Sequence, residues 1–393
     1  MSEAPPIEVA GSAKLPLGMT PERFLRSYWQ KHPLLVRQAF AGFSGPLAPD
    51  DLAGLACEPM AFSRLVVFER AGDAWDVRNG PFEETDFASL PERDWTLLVQ
   101  DCDKLIGEVE ELLAPFRFVP EWRIDDVMVS YAVPGGSVGA HVDQYDVFLL
   151  QGVGTRRWQI STDPDASLDF RADAALKILA SFAPTHDWVL EPGDMLYLPP
   201  RVPHHGVAQQ ACMTWSIGMR APAVGELLVD FAEQTAERIG EDLRYTDPDL
   251  LVPADSAEID AQAIARVRAL LRHAQDLDDA TLQAQFARFI TRYRSAQQTA
   301  PPPVRIDAAQ LQAALARGAV LYRSPWSRYA WQREGRAART WFAGDSWPAT
   351  QHIARILQDH RQLDAAVLGK LAASELALLT ELHNAGHLVI DDA

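Results

Sequence analysis

The sequence predicts a mainly β domain of jelly-roll type, then an all-α domain, then a C-terminal α+β module of winged-helix-like kind. Three observations carry this order. From about Ile124 to Met219 short apolar runs are punctuated by glycine and proline, which favours a sandwich or barrel. After Pro222 the texture changes to alanine, leucine, glutamate and arginine with helical periodicity. Thr299-Ala300-Pro301-Pro302-Pro303 then forms a linker, because consecutive prolines exclude helix and sheet alike. A chain of 393 residues, 48% of them hydrophobic, can bury a core in each of two or three domains. The expected boundaries are 1–221, with the barrel core from about residue 88, then 222–300 and 301–393.

Thr20-Pro21-Glu22 opens a helix, with threonine as N-cap, proline in the first turn, and Phe24, Leu25, Tyr28 and Trp29 at helical spacing. Leu34-Leu35-Val36 reads as a strand. The β region divides into Val127 to Val133, Tyr145 to Leu150, Arg157 to Ile160, Trp188 to Leu190, Met195 to Leu198, and Ala211 to Met219. Three helical stripes follow: Leu228, Phe231, Ala232 and Thr235; Ile264, Val267, Leu270 and Leu271; Leu282, Phe286, Phe289 and Ile290. These stripes need partners, and both an intrachain core and a homodimer seam would supply them. Beyond the linker, helices are expected near Ala308 to Arg317, His352 to His360, Ala365 to Leu371 and Ser374 to His383. A candidate strand, Gly386-His387-Leu388-Val389-Ile390, closes the module.

Three widely spaced cysteines, Cys57, Cys102 and Cys212, offer neither a disulfide framework nor a CxxC zinc site, which fits a reducing cytoplasmic compartment. No signal peptide and no run of about 18 apolar residues is present, so a soluble protein without a membrane partner is expected. A formal net charge of -18 repels nucleic acid and steers in a basic partner. A basic polypeptide is therefore a more natural macromolecular substrate than free DNA or RNA.

The chemistry-bearing feature is His141-Val142-Asp143, answered by His204 in Leu198-Pro199-Pro200-Arg201-Val202-Pro203-His204-His205-Gly206. Two histidines and a carboxylate in this order hold a divalent iron on one face and leave the opposite face open for a co-substrate and dioxygen. The His-x-Asp pair alone is weak, since ten histidines in an acid-rich chain give roughly one by chance. Context strengthens it. His141 and Asp143 share parity, so in extended chain they face one way, and they follow the loop Pro134-Gly135-Gly136-Ser137-Val138-Gly139. In a jelly roll, the strands through Glu191-Pro192-Gly193-Asp194 return the third ligand to the same end. His205 competes with His204, but neighbours in extended chain face opposite ways, so only one of the two binds.

Zinc competes with iron, because the same donors with an open position also describe hydrolases. A site for an oxidisable co-substrate discriminates between them. Arg156, Trp158 and Ile160 share one parity, and if that face is the barrel interior its guanidinium needs an anion. The distal carboxylate of 2-oxoglutarate would supply one; the alternative places Arg157 inside. Ser130, on the face of Met128 and Ala132, and Ser216, on the face of Cys212, Thr214 and Gly218, offer hydroxyls to the same interior.

Met128-Val129-Ser130-Tyr131-Ala132-Val133-Pro134-Gly135-Gly136, the run His141 to Gly152, and Glu191 to Tyr197 with Pro203-His204 resemble the JmjC-type 2-oxoglutarate oxygenases. Within them the chain resembles the bacterial ribosomal oxygenases, which hydroxylate an arginine of a large-subunit ribosomal protein. The run His-x-Asp-Gln-Tyr-Asp-Val-Phe is specific well beyond a bare triad. The likeness covers nearly the whole chain, since the family joins a cupin-like JmjC barrel, or double-stranded β-helix, to a helical dimerisation region and a winged helix. The resemblance implies that His141, Asp143 and His204 are the catalytic Fe(II) ligands and that Ser130, Arg156 and Ser216 contact 2-oxoglutarate. It also implies dioxygen as co-substrate, a homodimer, and 3-hydroxylation of an arginine in ribosomal protein sixteen. Thr214 departs from the pattern, because a larger polar side chain is expected there in enterobacterial relatives.

An arginine substrate needs its guanidinium fixed, and Asp125, Asp126 and Asp146 are candidates, each weighed against an ordinary role as a surface or turn acid. Two other readings stand beside this one. A JmjC or cupin-type oxygenase acting on another protein or a small molecule keeps the chemistry and changes the target. A ligand-sensing nucleic-acid-binding regulator would use Arg323, Arg328, Arg333, Arg336 and Arg339, interleaved with Tyr322, Trp326, Tyr329 and Trp331. The overall acidity argues against direct nucleic-acid binding.

Overall fold

The computed structural model describes residues 5–239, 243–252, 257, 259–292 and 299–391. It divides into two compact units, Met1–Ala221 and Pro222–Ala393. The strands of the first unit are β1 (Glu8–Ala10), β2 (Leu34–Arg37), β3 (Ser63–Glu69), β4 (Ala74–Asn79), β5 (Trp95–Val99), β6 (Ile124–Ala132), β7 (Val147–Val153), β8 (Arg156–Ile160), β9 (His186–Leu190), β10 (Met195–Leu198), β11 (His204–Ala208) and β12 (Cys212–Met219). They form a nine-stranded sheet in the order β1-β2-β10-β7-β12-β6-β5-β3-β4 and a three-stranded sheet in the order β11-β8-β9.

Side-chain alternation divides the large sheet into two packed faces. Leu35, Val147, Leu149, Leu196 and Leu198 meet Trp158, Ile160 and Leu190 of the small sheet, so the two sheets close on a shared interior as a jelly roll. On the opposite face Val127, Val129, Phe148, Leu150, Tyr197, Trp215 and Ile217 pack against Phe24 of helix α1 (Pro21–Ser27) and Leu52 of α2 (Pro49–Cys57). Shorter helices α3 (Glu84–Ala88), α4 (Cys102–Leu105) and α5 (Gly107–Glu111) follow. The predicted start of α1 is present: Thr20 Oγ1 accepts from the Arg23 N–H at 3.4 Å. Gly152 is required where the sheet carries Trp215, because a Cβ there would lie 2.0 Å from Trp215 Cζ3.

The sheet reaches further than the sequence suggests. In β3 and β4 the charged residues Arg64, Glu69, Asp76 and Arg78 interrupt the apolar run, so neither segment stands out as a strand. The pairing of Thr96 with Ala132 and of Leu98 with Ser130 nevertheless joins β5 to β6 and extends the barrel wall.

The second unit begins with α6 (Val224–Ile239), α7 (Ala261–Gln275) and α8 (Asp279–Thr291). It continues with α9 (Ala308–Ala316), β13 (Val320–Arg323), β14 (Tyr329–Glu334), β15 (Ala337–Phe342), β16 (Asp345–Thr350), α10 (Gln351–Asp359), β17 (Gln362–Leu363), α11 (Ala365–Leu368), α12 (Ala373–Asn384) and β18 (Leu388–Asp391). Two three-stranded sheets, β17-β13-β18 and β14-β15-β16, share a core of Leu311, Leu321, Phe342, Ile353, Leu357, Leu379 and Leu382. Helix α8 packs on β14 and β15, where Gln332 Nε2 donates to Gln283 Oε1 and the Gly344 N–H donates to Thr291 Oγ1. Of the interleaved arginines and aromatics, Arg323 and Tyr329 are interior to this module, Arg333 and Arg336 are exposed, and the others are half-buried. Tyr329 and Trp341 are buried, as is Arg323, whose guanidinium donates to the Leu357 carbonyl. Among the described residues no helix is long and apolar enough to cross a membrane.

Asp146 is the polar anchor of the first unit. Fully buried, it accepts from the Tyr197 hydroxyl at 2.5 Å, Gln30 Nε2 at 3.0 Å and Arg123 Nη2 at 3.3 Å. Its carboxylate is thereby committed to the fold, which removes it from the acids available to a substrate. Asp146→Ala leaves the buried Tyr197 hydroxyl and one arm of the half-buried Arg123 guanidinium without this acceptor, so a loss of about 1–3 kcal/mol in unfolding free energy is expected, measured by urea denaturation.

Candidate metal centre

His141 follows the glycine-rich loop and His204 opens β11, and the backbone brings them together before the side chains do. The N–H of each donates to the carbonyl of the other at 2.9 Å, an antiparallel bridge outside the named strands. The loop is held against β11 by Gly135 N–H to Ala208 O at 2.9 Å and Ala208 N–H to Gly136 O at 3.0 Å. The Asp143 carbonyl accepts from the Arg201 N–H at 2.7 Å, with Arg201 in the left-handed region at φ 65°. That turn delivers Pro203 and His204 to the bridge.

The three candidate ligands converge. One donor atom from each of His141, Asp143 and His204 lies within 4.8 Å of the others. His204 Nε2 is 3.6 Å from Asp143 Oδ2, and His141 Nε2 is 4.0 Å from Asp143 Oδ1. A divalent metal with bonds of about 2.1 Å spaces donors on one face by about 3 Å, so a small side-chain adjustment closes the set. Both imidazoles are oriented for it. His141 Nδ1 donates to Gly139 O at 3.0 Å and His204 Nδ1 to Val202 O at 2.9 Å, which fixes the tautomer and leaves each Nε2 lone pair to the metal. Burial holds the His204 imidazole well below its ordinary pKa, so it is neutral at pH 7, the form that binds a metal. Burial raises the Asp143 carboxyl, opposed by His141. His205 points away from this set, its ring against Phe182.

Arg156 lies on the interior face with Trp158 and Ile160, only 4% exposed, while Arg157 is exposed and pairs with Asp187. No carboxylate among the described residues pairs with Arg156. Its Nη2 donates to Gly206 O at 3.3 Å, its Nε has no partner, and burial lowers its pKa. A desolvated guanidinium with an unused donor is a site built for an anion. Ser130 and Thr214 face each other on paired strands of the same interior, with Ser216 one step along the same face of β12. Ser130 Oγ donates to Thr214 O at 3.5 Å, and Thr214 Oγ1 donates to the buried Gln151 Oε1 at 3.1 Å.

Two contributors escaped sequence reasoning. Gln151 holds the floor by donating to the Val153, Gly154 and Met213 carbonyls. Gly206 makes room: a Cβ there would lie 2.7 Å from Trp158 Cη2 and 2.8 Å from Arg156 Nε. The alternation His204, Gly206, Ala208 along one face was the available signal for the second.

Comparison with known proteins places this geometry. A JmjC domain model matches residues 111–227 and a ROXA-like winged helix model matches residues 269–389. The Escherichia coli protein named ribosomal protein uL16 3-hydroxylase is 38% identical over 300 residues, 76% of this chain and 79% of that protein. The chain belongs to the JmjC ribosomal oxygenases. The crystal structure of E. coli YcfD superposes with a TM-score of 0.84 at 34% identity, covering 95% of this chain and 98% of that one. Another structure of YcfD, a ribosomal oxygenase, contains cobalt and 2-oxoglutarate, and it covers the same shares with a TM-score of 0.80 at 34% identity. The family architecture of cupin-like β domain, helical region and winged helix is thus the architecture of this chain.

The two adjacent histidines separate cleanly by experiment. In a calorimetric titration with cobalt(II), His204→Ala is expected to weaken binding at least a hundredfold, whereas His205→Ala stays within about threefold of the unmodified protein.

Proposed function

We propose that this chain is an iron(II)- and 2-oxoglutarate-dependent oxygenase that 3-hydroxylates an arginine side chain of large-subunit ribosomal protein uL16. One observation carries the chemistry: a facial His-Asp-His set and a buried guanidinium without a counter-ion open into one barrel interior. A dicarboxylate reaching from the metal to Arg156 satisfies both groups at once. In this reading His141, Asp143 and His204 hold the metal, while Arg156, Ser130 and Ser216 hold the co-substrate. Bound together, iron and 2-oxoglutarate supply dioxygen activation with release of succinate and carbon dioxide. The chain's own part is placement and exclusion of water, for which Leu149, Trp158, Leu196 and Leu198 line the interior with apolar surface.

The acid that receives the substrate guanidinium is Asp126. Asp146 is already saturated, and Asp125 is exposed, its carbonyl taking Lys104 Nζ at 2.9 Å. Asp126 lies on the face of β6 that carries Met128 and Ser130, and its Oδ1 lies 3.2 Å from where a Cβ on Gly218 would sit. Burial pushes its carboxyl up to about 7, with Lys104 opposing. An arriving guanidinium would restore its charge. The three free cysteines and a ribosomal protein target support a cytoplasmic location.

A homodimer through the helical block is part of the same proposal. Val224, Leu228 and Val229 of α6 and Leu271 of α7 are 72%, 60%, 61% and 59% exposed, which is apolar surface a second copy would cover. Leu228→Glu combined with Leu271→Glu should convert the dimer to monomer in sedimentation velocity; a wild-type protein that is monomeric at micromolar concentration ends this part.

Incubation with iron(II), 2-oxoglutarate, ascorbate and ribosomal proteins should add one oxygen to an arginine of uL16, read by mass spectrometry, and should release succinate. Absence of succinate, or activity unchanged in His141→Ala, would overturn the oxygenase reading. Modification of a residue other than arginine would overturn only the target. Asp126→Asn should raise KM for the protein substrate at least tenfold and leave 2-oxoglutarate affinity intact. In the wild type, KM should rise as pH falls from about 8 to 6, because protonation near 7 removes the charge that attracts the guanidinium.

A further inference from the structure

We propose that Trp158 is a second anchor for the co-substrate, its indole N–H donating to an oxygen of the 2-oxo acid held between Arg156 and the metal ligands. The inference rests on the oxygenase reading above and assigns a role to a side chain that otherwise serves only as wall. Trp158 is 5% exposed, and its Nε1 is buried with no hydrogen-bond partner. An indole nitrogen donates and never accepts, so only an oxygen or similar acceptor satisfies it. Val147, Leu149, Ile160, Leu190, Leu196 and Leu198 share its apolar cluster, and their side chains offer it no acceptor. A buried donor left in this state costs about 1–3 kcal/mol.

Position favours a ligand. The Arg156 guanidinium carbon lies 5.1 Å from the Trp158 ring centroid, and the His204 ring centroid lies 6.0 Å from it. Trp158 is therefore close to both the buried cation and a candidate metal ligand, the two ends a metal-bound dicarboxylate has to reach. The missing side chain at Gly206 is what allows the arrangement, since Trp158 Cη2, Trp158 Cζ3 and Arg156 Nε all occupy the space a Cβ would take. With its six-membered ring set over Gly206, the indole is fixed while its N–H stays uncommitted.

The test uses full-length protein loaded with cobalt(II), and titrates 2-oxoglutarate by calorimetry into wild type and Trp158→Phe. Phenylalanine keeps an aromatic ring beneath Arg156 and removes the donor. Affinity for 2-oxoglutarate should fall about tenfold or more, as for a hydrogen bond to a charged acceptor. Cobalt affinity should be unchanged, and the melting temperature without ligand should not fall, because the variant loses an unsatisfied donor. Binding within twofold of wild type overturns the proposal and leaves the oxygenase reading standing. A wild type that does not bind 2-oxoglutarate overturns both. Should the variant fail to fold, a crystal structure of the wild-type cobalt and 2-oxoglutarate complex decides: Nε1 within about 3.2 Å of a co-substrate oxygen supports the assignment, and any other partner for the N–H overturns it.

Discussion

Two backbone hydrogen bonds between His141 and His204 are the constraint on which the site depends. They join a loop that follows β6 to the first residue of β11, and so convert two distant stretches of chain into one pair of candidate metal ligands. Everything else at the metal refines that pair. Carbonyls at Gly139 and Val202 turn the two rings, and the Asp143 to Arg201 contact places the carboxylate and the returning turn in a single step. Because main-chain bonds hold His141 and His204 side by side, the backbone of these two candidate ligands needs no further ordering to present them together.

The second organising element is a charge the fold does not neutralise. Burying Arg156 without a carboxylate is costly, and the fold answers it with only a long contact to the Gly206 carbonyl and the face of Trp158. Asp146 shows the contrasting solution: equally buried, yet saturated by Tyr197, Gln30 and Arg123. One buried charge is fully satisfied, and the other keeps an unused donor. Their difference lies in hydrogen-bond completeness rather than in burial.

Much of this was legible in the sequence for physical reasons. Strands β7, β10 and β12 are buried on both faces and read as continuous apolar runs, so β10 and β12 are predicted to within one residue and β7 to within three. Strands β3 and β4 carry charges on a partly exposed face, and β11 begins with two histidines and a glycine, so hydrophobic pattern concealed all three. The same weakness hid β14 to β16, where Tyr329 and Phe342 turn into the core while Arg333 and Arg336 stay exposed, so no clean alternation marks the strands. At the site, parity sufficed to face His141 and Asp143 together and to separate His204 from His205. It could not find Gln151 or Gly206, whose roles are a bond count and an empty volume, nor choose among Asp125, Asp126 and Asp146, which differ only in their neighbours.

The strand β2 has a consequence for how the molecule is made. It lies between β1 and β10, with Leu34 paired to Tyr197 and Val36 to Met195, so one of the earliest strands synthesised waits for one of the last of the barrel. Closure of the wall is therefore a long-range event that local helix or hairpin formation cannot begin. While β10 and β11 are still unmade, the nascent chain already displays His141 and Asp143 with neither their third partner nor their bridge. A metal site made of these three side chains is complete only when nearly the whole first unit has emerged, and the incomplete barrel, with an unpaired edge at β2, is the species most exposed to mispairing during synthesis.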